Sequence, residues 1–172
     1  MVFLVFIAPK NFTDETLSNI KLFFNKWGID YKIASYSKGD CEGAHGAVYK
    51  QDVNANKVYV MDYEGIVLVD GKGIDEYKLY EYRPLLDLLS QFNNLKKVIC
   101  AVGNASTILA RANIIQNKKI AVPKNEEIIR LILLFHGIPS QNNIEFSDNI
   151  ITINSKKVGE YIYEMLKHIN KI

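Results

Sequence analysis

Val2-Phe-Leu-Val-Phe-Ile-Ala8 is a continuous run of β-prone apolar residues. Because apolar side chains fall at both odd and even positions, the run predicts a strand that is covered on both faces, as in a parallel sheet. Further strands are predicted at Ile29–Ser35, Gly65–Val69, Lys97–Val102 and Lys119–Val122. Segments long enough to be crossover helices separate several of these strands. The sequence therefore predicts right-handed βαβ units in an α/β fold, with an open, mainly parallel sheet between two helical layers.

The remaining segments are assigned from apolar spacing and turn residues. Helical spacing predicts helices after the strands, and turn residues between apolar runs predict hairpins. The predicted helices are a segment through Leu17 and Trp27 that stops at Gly28, Asp75 to Phe92, a segment through Ile108 and Ala112, a segment opening at Asn125, and Val158 to Ile169. Phe146 to Ile153 is predicted as a hairpin, and Gly43 to Val60 as a hairpin or other β-excursion.

Length and composition narrow the class of protein. The 172 residues, 48% of them hydrophobic, suit a single domain over residues 1–172. Charge is nearly balanced, with 21 basic and 19 acidic residues, which argues against a nucleic-acid partner. The first apolar run is about a third of a membrane span, so no membrane partner is expected. Two cysteines are too few for a disulfide framework and fit a reducing, cytoplasmic location.

Loops beyond the carboxyl ends of parallel strands are where ligands bind in such folds. Three of these loops are suggestive: Asn11 to Thr16, Asp70 to Gly73 and Gly103 to Ser106. The last one is a strand-turn-helix junction of the kind that a nucleophile elbow needs. In this chain the residue at the elbow is glycine.

The order of several segments resembles one superfamily. They are Phe12-Thr-Asp14 with Gly28-Ile-Asp-Tyr-Lys-Ile-Ala-Ser35, Gly43-Ala-His-Gly46, Asp62-Tyr-Glu-Gly-Ile-Val-Leu-Val69 with Asp70-Gly71, Ala101-Val-Gly-Asn-Ala105 with Ile108 to Ile115, and Asn149 to Ser155. They are similar to motifs of the DJ-1/PfpI superfamily and cover nearly the whole chain. The resemblance implies a flavodoxin-like three-layer α/β/α sandwich, similar to class I glutamine amidotransferase domains. It also implies a homo-oligomer, most simply a dimer.

The departures from the superfamily's pattern concern its functional positions. Catalytic members carry a cysteine at the elbow, in some branches a histidine beside it, and a glutamate in the first loop that holds the thiol. Ungapped counting places Gly103, Asn104 and Thr16 at these three positions, with Glu15 one residue before the last. The family's P-G-G turn is replaced by Val69-Asp70-Gly71. The resemblance therefore implies a pseudoenzyme: a non-catalytic binding or assembly module with a vestigial pocket lined by Glu15, Thr16, Asp70, Gly71, Gly103 and Asn104.

Of two other functions, only the first stays open at this stage. One is a thiol-dependent hydrolase, amidase or glyoxalase-like enzyme of the same family, with Cys100 as nucleophile and Glu15 as its orienting acid. Cys100 lies inside a predicted buried strand, however, where burial raises the pKa of a thiol. The other is a nucleotide-binding domain, which is set aside because Ala8-Pro-Lys-Asn11 contains no phosphate-binding glycine motif.

The elbow glycine carries a structural prediction. Elbow residues often adopt a positive φ, which strains residues with a Cβ by about 1–3 kcal/mol but not glycine. We therefore expect a positive φ at Gly103. Free N–H groups at the following helix start are able to hold a small anion, or Asn104 and Ser106 cap them. No cofactor is expected, and no metal, because Cys41, Glu42 and His45 make too small a set of ligands.

Overall fold

The computed structural model of the protein describes residues 2–36 and 39–171. Strand β1 (Val2–Phe6) buries its last four side chains, as expected for a strand covered on both faces. It belongs to a large sheet with the strands β3 (Asp30–Ser35), β6 (Val53–Asn54), β7 (Tyr63–Leu68), β8 (Val98–Val102), β11 (Ile144–Ser147) and β12 (Ile150–Ile153).

The strand order of this sheet is β11-β12-β8-β7-β1-β3-β6, and every neighbouring pair is parallel except β11 with β12. If the five central strands are numbered along the chain, their spatial order is 2-1-3-4-5. This is the flavodoxin-like order of doubly wound sheets, so the predicted fold class is confirmed.

Helices cover both faces of the sheet. Within the described residues they are α1 (Asp14–Lys26), α2 (Gly73–Glu76), α3 (Arg83–Asn94), α4 (Ser106–Arg111), α5 (Glu126–Leu134) and α6 (Val158–His168). Helix α1 packs against α6, and α3 packs against α4. Right-handed crossovers place these two pairs on opposite faces, because the chain leaves β1 in one direction and β7 in the other.

The single helix predicted from Asp75 to Phe92 was wrong. The segment forms the short helix α2, a 3-10 turn and then α3. Lys78 adopts a left-handed conformation with φ 46°, which ends the first helical piece. Pro84 lies in the first turn of α3, where a residue without an N–H is tolerated.

The hairpin predicted from Phe146 to Ile153 is present as the antiparallel pair of β11 and β12. The segment predicted from Gly43 to Val60 as a hairpin or other β-excursion starts too late, because its first strand is β4 (Asp40–Gly43), which pairs antiparallel with β5 (Val48–Lys50); β6 and two 3-10 turns follow. Strand β2 (Lys10–Phe12) joins β4, and β9 (Lys119–Ala121) pairs in parallel with β10 (Ile138–Ser140). Strands β2 and β10 were not predicted, because neither is an apolar run: β2 buries only Phe12, and β10 contains Pro139 and buries none of its residues fully.

One hydrophobic core runs through the sheet and its helices, and its largest fully buried side chains include Phe3, Phe6, Phe12, Phe24 and Phe92. No helix formed by residues 2–36 and 39–171 has the length and apolar character needed to span a bilayer. The strands β1, β7 and β8 lie side by side in this core, so the loops at their carboxyl ends meet at one edge of the sheet.

Candidate functional site

The loops after β7 and β8 are joined by the side chain of Asn104. Its Oδ1 accepts a hydrogen bond from the N–H of Gly71 at 3.0 Å, and its Nδ2 donates to the carbonyl of Gly71 at 2.8 Å. The N–H of Thr13 donates to the carbonyl of Asp70 at 2.9 Å, which ties the start of α1 to the same loop. These bonds hold the residues around the turn in fixed positions.

Gly103 forms the turn between β8 and α4. It begins a 3-10 turn with φ 55°, so the predicted positive φ is confirmed. A Cβ at this position would lie 3.1 Å from both the Cβ and the Oδ2 of Asp70. The Asp70 side chain therefore covers Gly103 and leaves little room for a larger residue there.

Asp70 is the charged group of this site. Its Oδ1 is buried and has no hydrogen-bond partner among the described residues. Burial raises the pKa of the Asp70 carboxyl, and the hydroxyls of Thr16 and Thr13 lower it by a smaller amount. A carboxyl with one buried, unpartnered oxygen and a raised pKa is more typical of a functional site than of a structural ion pair.

The two candidate residues of helix α1, Glu15 and Thr16, differ in their exposure to solvent. Thr16 is 1% exposed and acts on the Asp70 carboxyl, whereas Glu15 is exposed to solvent. Glu15 lies with Asp14 in the first turn of α1, where acidic side chains interact favourably with the helix dipole. The structure thus brings Thr16, rather than Glu15, next to Asp70.

Cys100 is fully buried inside β8. It pairs with Val67 on one side and Ile151 on the other. Burial alone raises the pKa of the Cys100 thiol to about 12, so Glu15 is not among the groups that act on it. The arrangement required by the thiol-enzyme alternative, an accessible Cys100 held by Glu15, is not the one observed.

Sequence analysis missed a contact beside the site. The Oδ2 of Asp14 accepts a hydrogen bond from the N–H of His45 at 2.7 Å, and a Cβ at Gly43 would lie 1.3 Å from the Oδ1 of Asp14. Asp14 thereby attaches the β4–β5 hairpin to the start of α1. The sequence shows Asp14 only as a helix-start acid, because its partner is distant in the chain.

Ser106 was not among the candidate residues either. It is completely buried in the first turn of α4, and its Oγ has no hydrogen-bond partner in the described part of the chain. A serine just after a glycine turn is typical of an ordinary helix cap, so the sequence carries no signal for this unpaired hydroxyl.

A larger cavity lies at the opposite, amino-terminal edge of the sheet. It has a volume of about 680 Å³, and its lining includes Lys118, Asp148, Asn149 and His168. A smaller cleft of about 230 Å³ lies beside the elbow and is lined in part by Asn104. Residues 2–36 and 39–171 contain no group of three or more His, Cys, Asp or Glu side chains arranged to hold a metal ion.

Solved structures with the same fold are found among ThiJ/PfpI and DJ-1 proteins. A ThiJ/PfpI domain protein from Brachyspira murdochii superposes with a TM-score of 0.91 at 21% identity, covering 99% of this chain and 97% of that one. DJ-1beta from Drosophila melanogaster superposes with a TM-score of 0.84 at 17% identity, covering 99% and 94%. At these identities the likeness concerns the fold alone.

Sequence similarity extends over nearly the same length. The model of the DJ-1/PfpI family matches residues 2–154. An uncharacterized protein of Methanocaldococcus jannaschii is 32% identical over 169 residues, which make up 98% of this chain and 82% of that relative. The matches cover the sheet, the elbow and the loops at the carboxyl edge. On these grounds the chain belongs to the DJ-1/PfpI family.

Proposed function

We propose that this protein is a DJ-1/PfpI-family member that works without thiol catalysis, as a binding or assembly module. Its ligand site is the pocket at the carboxyl edge of the sheet, formed by Thr16, Asp70, Gly71, Gly103 and Asn104, with Glu15 exposed nearby. The observation that carries the proposal is the position of Cys100, which lies inside a central strand and not at the turn.

The chemistry of thiols supports this proposal. The thiolate is the nucleophile in cysteine-dependent enzymes, and such enzymes lower the pKa of the thiol. A pKa of about 12 keeps the Cys100 thiol in its protonated, unreactive form at pH 7. Burial also raises the pKa of Cys41, the other cysteine, which is 0% exposed.

The presence of Asp70 changes the expected ligand. The free N–H groups at the turn after β8 predict a small anion there. The carboxylate of Asp70 lies beside this turn and repels anions when it is ionised, so the geometry favours a ligand that donates hydrogen bonds.

Self-association and a cytoplasmic location belong to the same proposal. Helix α5 ends with Leu133 and Leu134, which are 55% and 69% exposed, and such neighbouring apolar side chains are typical of contact surfaces. Sedimentation equilibrium tests the homodimer, which would have twice the mass of one chain.

Alkylation of the native protein tests the absence of thiol chemistry. Iodoacetamide is added at pH 7, and the labelling of each cysteine is followed by mass spectrometry. We expect Cys100 and Cys41 to react only after unfolding in guanidinium. A Ser18→Cys variant, which carries a cysteine at an exposed position of α1, provides the control for fast labelling.

Native labelling of Cys100 at the rate of the Ser18→Cys control or faster would overturn the proposal. The alternative, a hydrolase, amidase or glyoxalase-like enzyme using Cys100 and Glu15, predicts that result. It also predicts turnover of methylglyoxal, or of an amide or ester substrate, that disappears in Cys100→Ser.

A further inference from the structure

The backbone around Asp70 is fixed by hydrogen bonds on both sides. Thr13 donates to the carbonyl of Asp70, and the amide of Asn104 binds both the N–H and the carbonyl of Gly71. A binding group held in this way loses little conformational freedom when a ligand arrives. The position of the Asp70 carboxyl is therefore set before binding.

One oxygen of the Asp70 carboxyl, unlike the backbone around it, has no hydrogen-bond partner among the described residues. The Oδ1 of Asp70 is buried without a partner, whereas the carboxylate of Asp52 accepts a hydrogen bond from the N–H of Ile33 at 2.8 Å. No basic side chain of the described residues forms an ion pair with Asp70. Asp70 as a residue is only partly buried, so part of it faces the surface beside Gly103. A carboxyl with an unsatisfied oxygen and no ion pair has acceptor capacity left for an added N–H or O–H donor.

The place of the carboxyl strengthens this argument. Asp70 Oδ2 lies 3.1 Å from where a Cβ of residue 103 would be, so the carboxyl occupies the space that an elbow side chain would fill. In this chain the loop after β7 supplies the acid, and the turn after β8 supplies a glycine that makes room for it. Asp70 and Gly103 therefore depend on each other sterically.

We propose that Asp70 is the ligand-binding group of this pocket and that it takes ligands carrying a protonated amine or amidine. Such groups place N–H donors and a positive charge against a carboxylate, and charge-assisted hydrogen bonds are the strong ones. The inference rests on the proposed function, because it assigns a ligand class to the same pocket.

Titration with small cations tests the inference directly. Acetamidinium chloride and methylammonium chloride are added to ¹⁵N-labelled protein at constant ionic strength, with sodium acetate as the comparison probe. We expect saturable amide shifts centred on Gly71, Gly103 and Thr16 with the cations and not with acetate. In Asp70→Asn the affinity falls by roughly tenfold or more, because the charge-assisted bond is lost.

Asp148→Asn is the matched control, since Asp148 lies at the opposite edge of the sheet. It should bind the cations as the unmodified protein does. If Asp70→Asn does not fold, Asp70→Ser replaces it, and the shift map of the unmodified protein needs neither variant.

Three outcomes would overturn the inference: no saturable shift at Gly71, Gly103 or Thr16, equal affinity in the folded Asp70 variant, or tighter binding of acetate than of the cations. Alkylation of the same sample separates this inference from the proposed function. Slow labelling of Cys100 without cation binding would contradict only this inference, whereas fast labelling would contradict the proposed function.

Discussion

The two edges of the central sheet differ in how their polar groups are satisfied. At the amino-terminal edge, the large cavity is bordered by paired groups. Lys118 and Asp148, which line this cavity, form an ion pair at 2.7 Å, and in the neighbouring cleft Lys171 and Glu64 form another at 2.7 Å. The Nδ2 of Asn149 donates hydrogen bonds to the carbonyl of Lys97 and to a neighbouring asparagine.

At the carboxyl-terminal edge the space is smaller, but a carboxyl group stands unpaired. Asn104 and Thr13 bind the backbone around Asp70, while the Oδ1 of Asp70 has no partner within the described chain. Cavity size therefore indicates a binding site at the amino-terminal edge, whereas the unpaired carboxyl oxygen indicates one at the carboxyl-terminal edge. Buried polar groups are nearly always hydrogen-bonded in folded proteins, so the unpaired carboxyl is the more informative of the two signals.

Among variants at the two edges, Gly103→Ala is expected to lower the free energy of unfolding the most. A Cβ at positive φ costs about 1–2 kcal/mol, and overpacking against Asp70 costs a further ~1–3 kcal/mol. Urea unfolding measures the loss of stability. In an Asp70→Gly background the overpacking disappears, so the same substitution should cost only the strain.

Equal costs of Gly103→Ala in the two backgrounds would contradict the close contact of residues 70 and 103. The double-mutant cycle isolates their coupling, because both residues change within one contact.

A smaller effect is expected from Asn104→Ala. It removes two hydrogen bonds to Gly71 and should lower the free energy of unfolding by about 1–3 kcal/mol. Asn149→Ala is the matched variant at the other edge, since it also removes two side-chain hydrogen bonds. Of these two variants, Asn104→Ala should weaken binding of acetamidinium, because Asn104, unlike Asn149, positions the loop of Asp70. Equal weakening by both variants would show that the loss is a general effect of reduced stability.

The fold could be predicted from sequence because its signals are local. The apolar runs of β1, β7 and β8 indicate strands covered on both faces, and their spacing leaves room for crossover helices. The break at Lys78 was not predictable in the same way. Its left-handed conformation has no sequence marker, since glycine or asparagine is the usual residue there.

The site was predictable only in part. Counting along the chain indicated that Gly103 lies at the elbow and Thr16 near it. The covering of Gly103 by Asp70 could not be predicted, because it depends on how two loops 33 residues apart meet, as the bonds from Asn104 to Gly71 show. Side-chain contacts between distant loops follow from the register of the strands, and periodicity does not carry that information.

The smallest effects concern the pH dependence of stability and have opposite signs at the two edges. Burial raises the pKa of Asp70, so the native state holds this proton more tightly than the unfolded chain. The stability contributed by Asp70 is present below the ordinary aspartate pKa of about 3.9 and is lost as pH rises through the native value. Asp70→Asn should therefore gain stability relative to the unmodified protein as pH increases from about 4.

Asp148 behaves in the opposite way. The hydrogen bond from Lys118 lowers the pKa of Asp148, so its contribution is present above the ordinary value and is lost as pH falls through the native one. Asp148→Asn should be less stable than the unmodified protein at neutral pH, with the difference vanishing in acid. Because Asp148 is exposed, added salt should reduce this difference. Thermal unfolding at a series of pH values checks both variants.

The account depends most on the state of one carboxyl group, which ¹³C NMR measures directly. Titration of the Asp70 carboxyl carbon should give a pKa above the ordinary aspartate value, and the Asp148 carbon in the same spectra should titrate below it. A pKa of Asp70 at or below the ordinary value would mean that its carboxylate is solvated or already paired. That result would contradict the claim that an unpartnered carboxyl, rather than a thiol, serves this pocket.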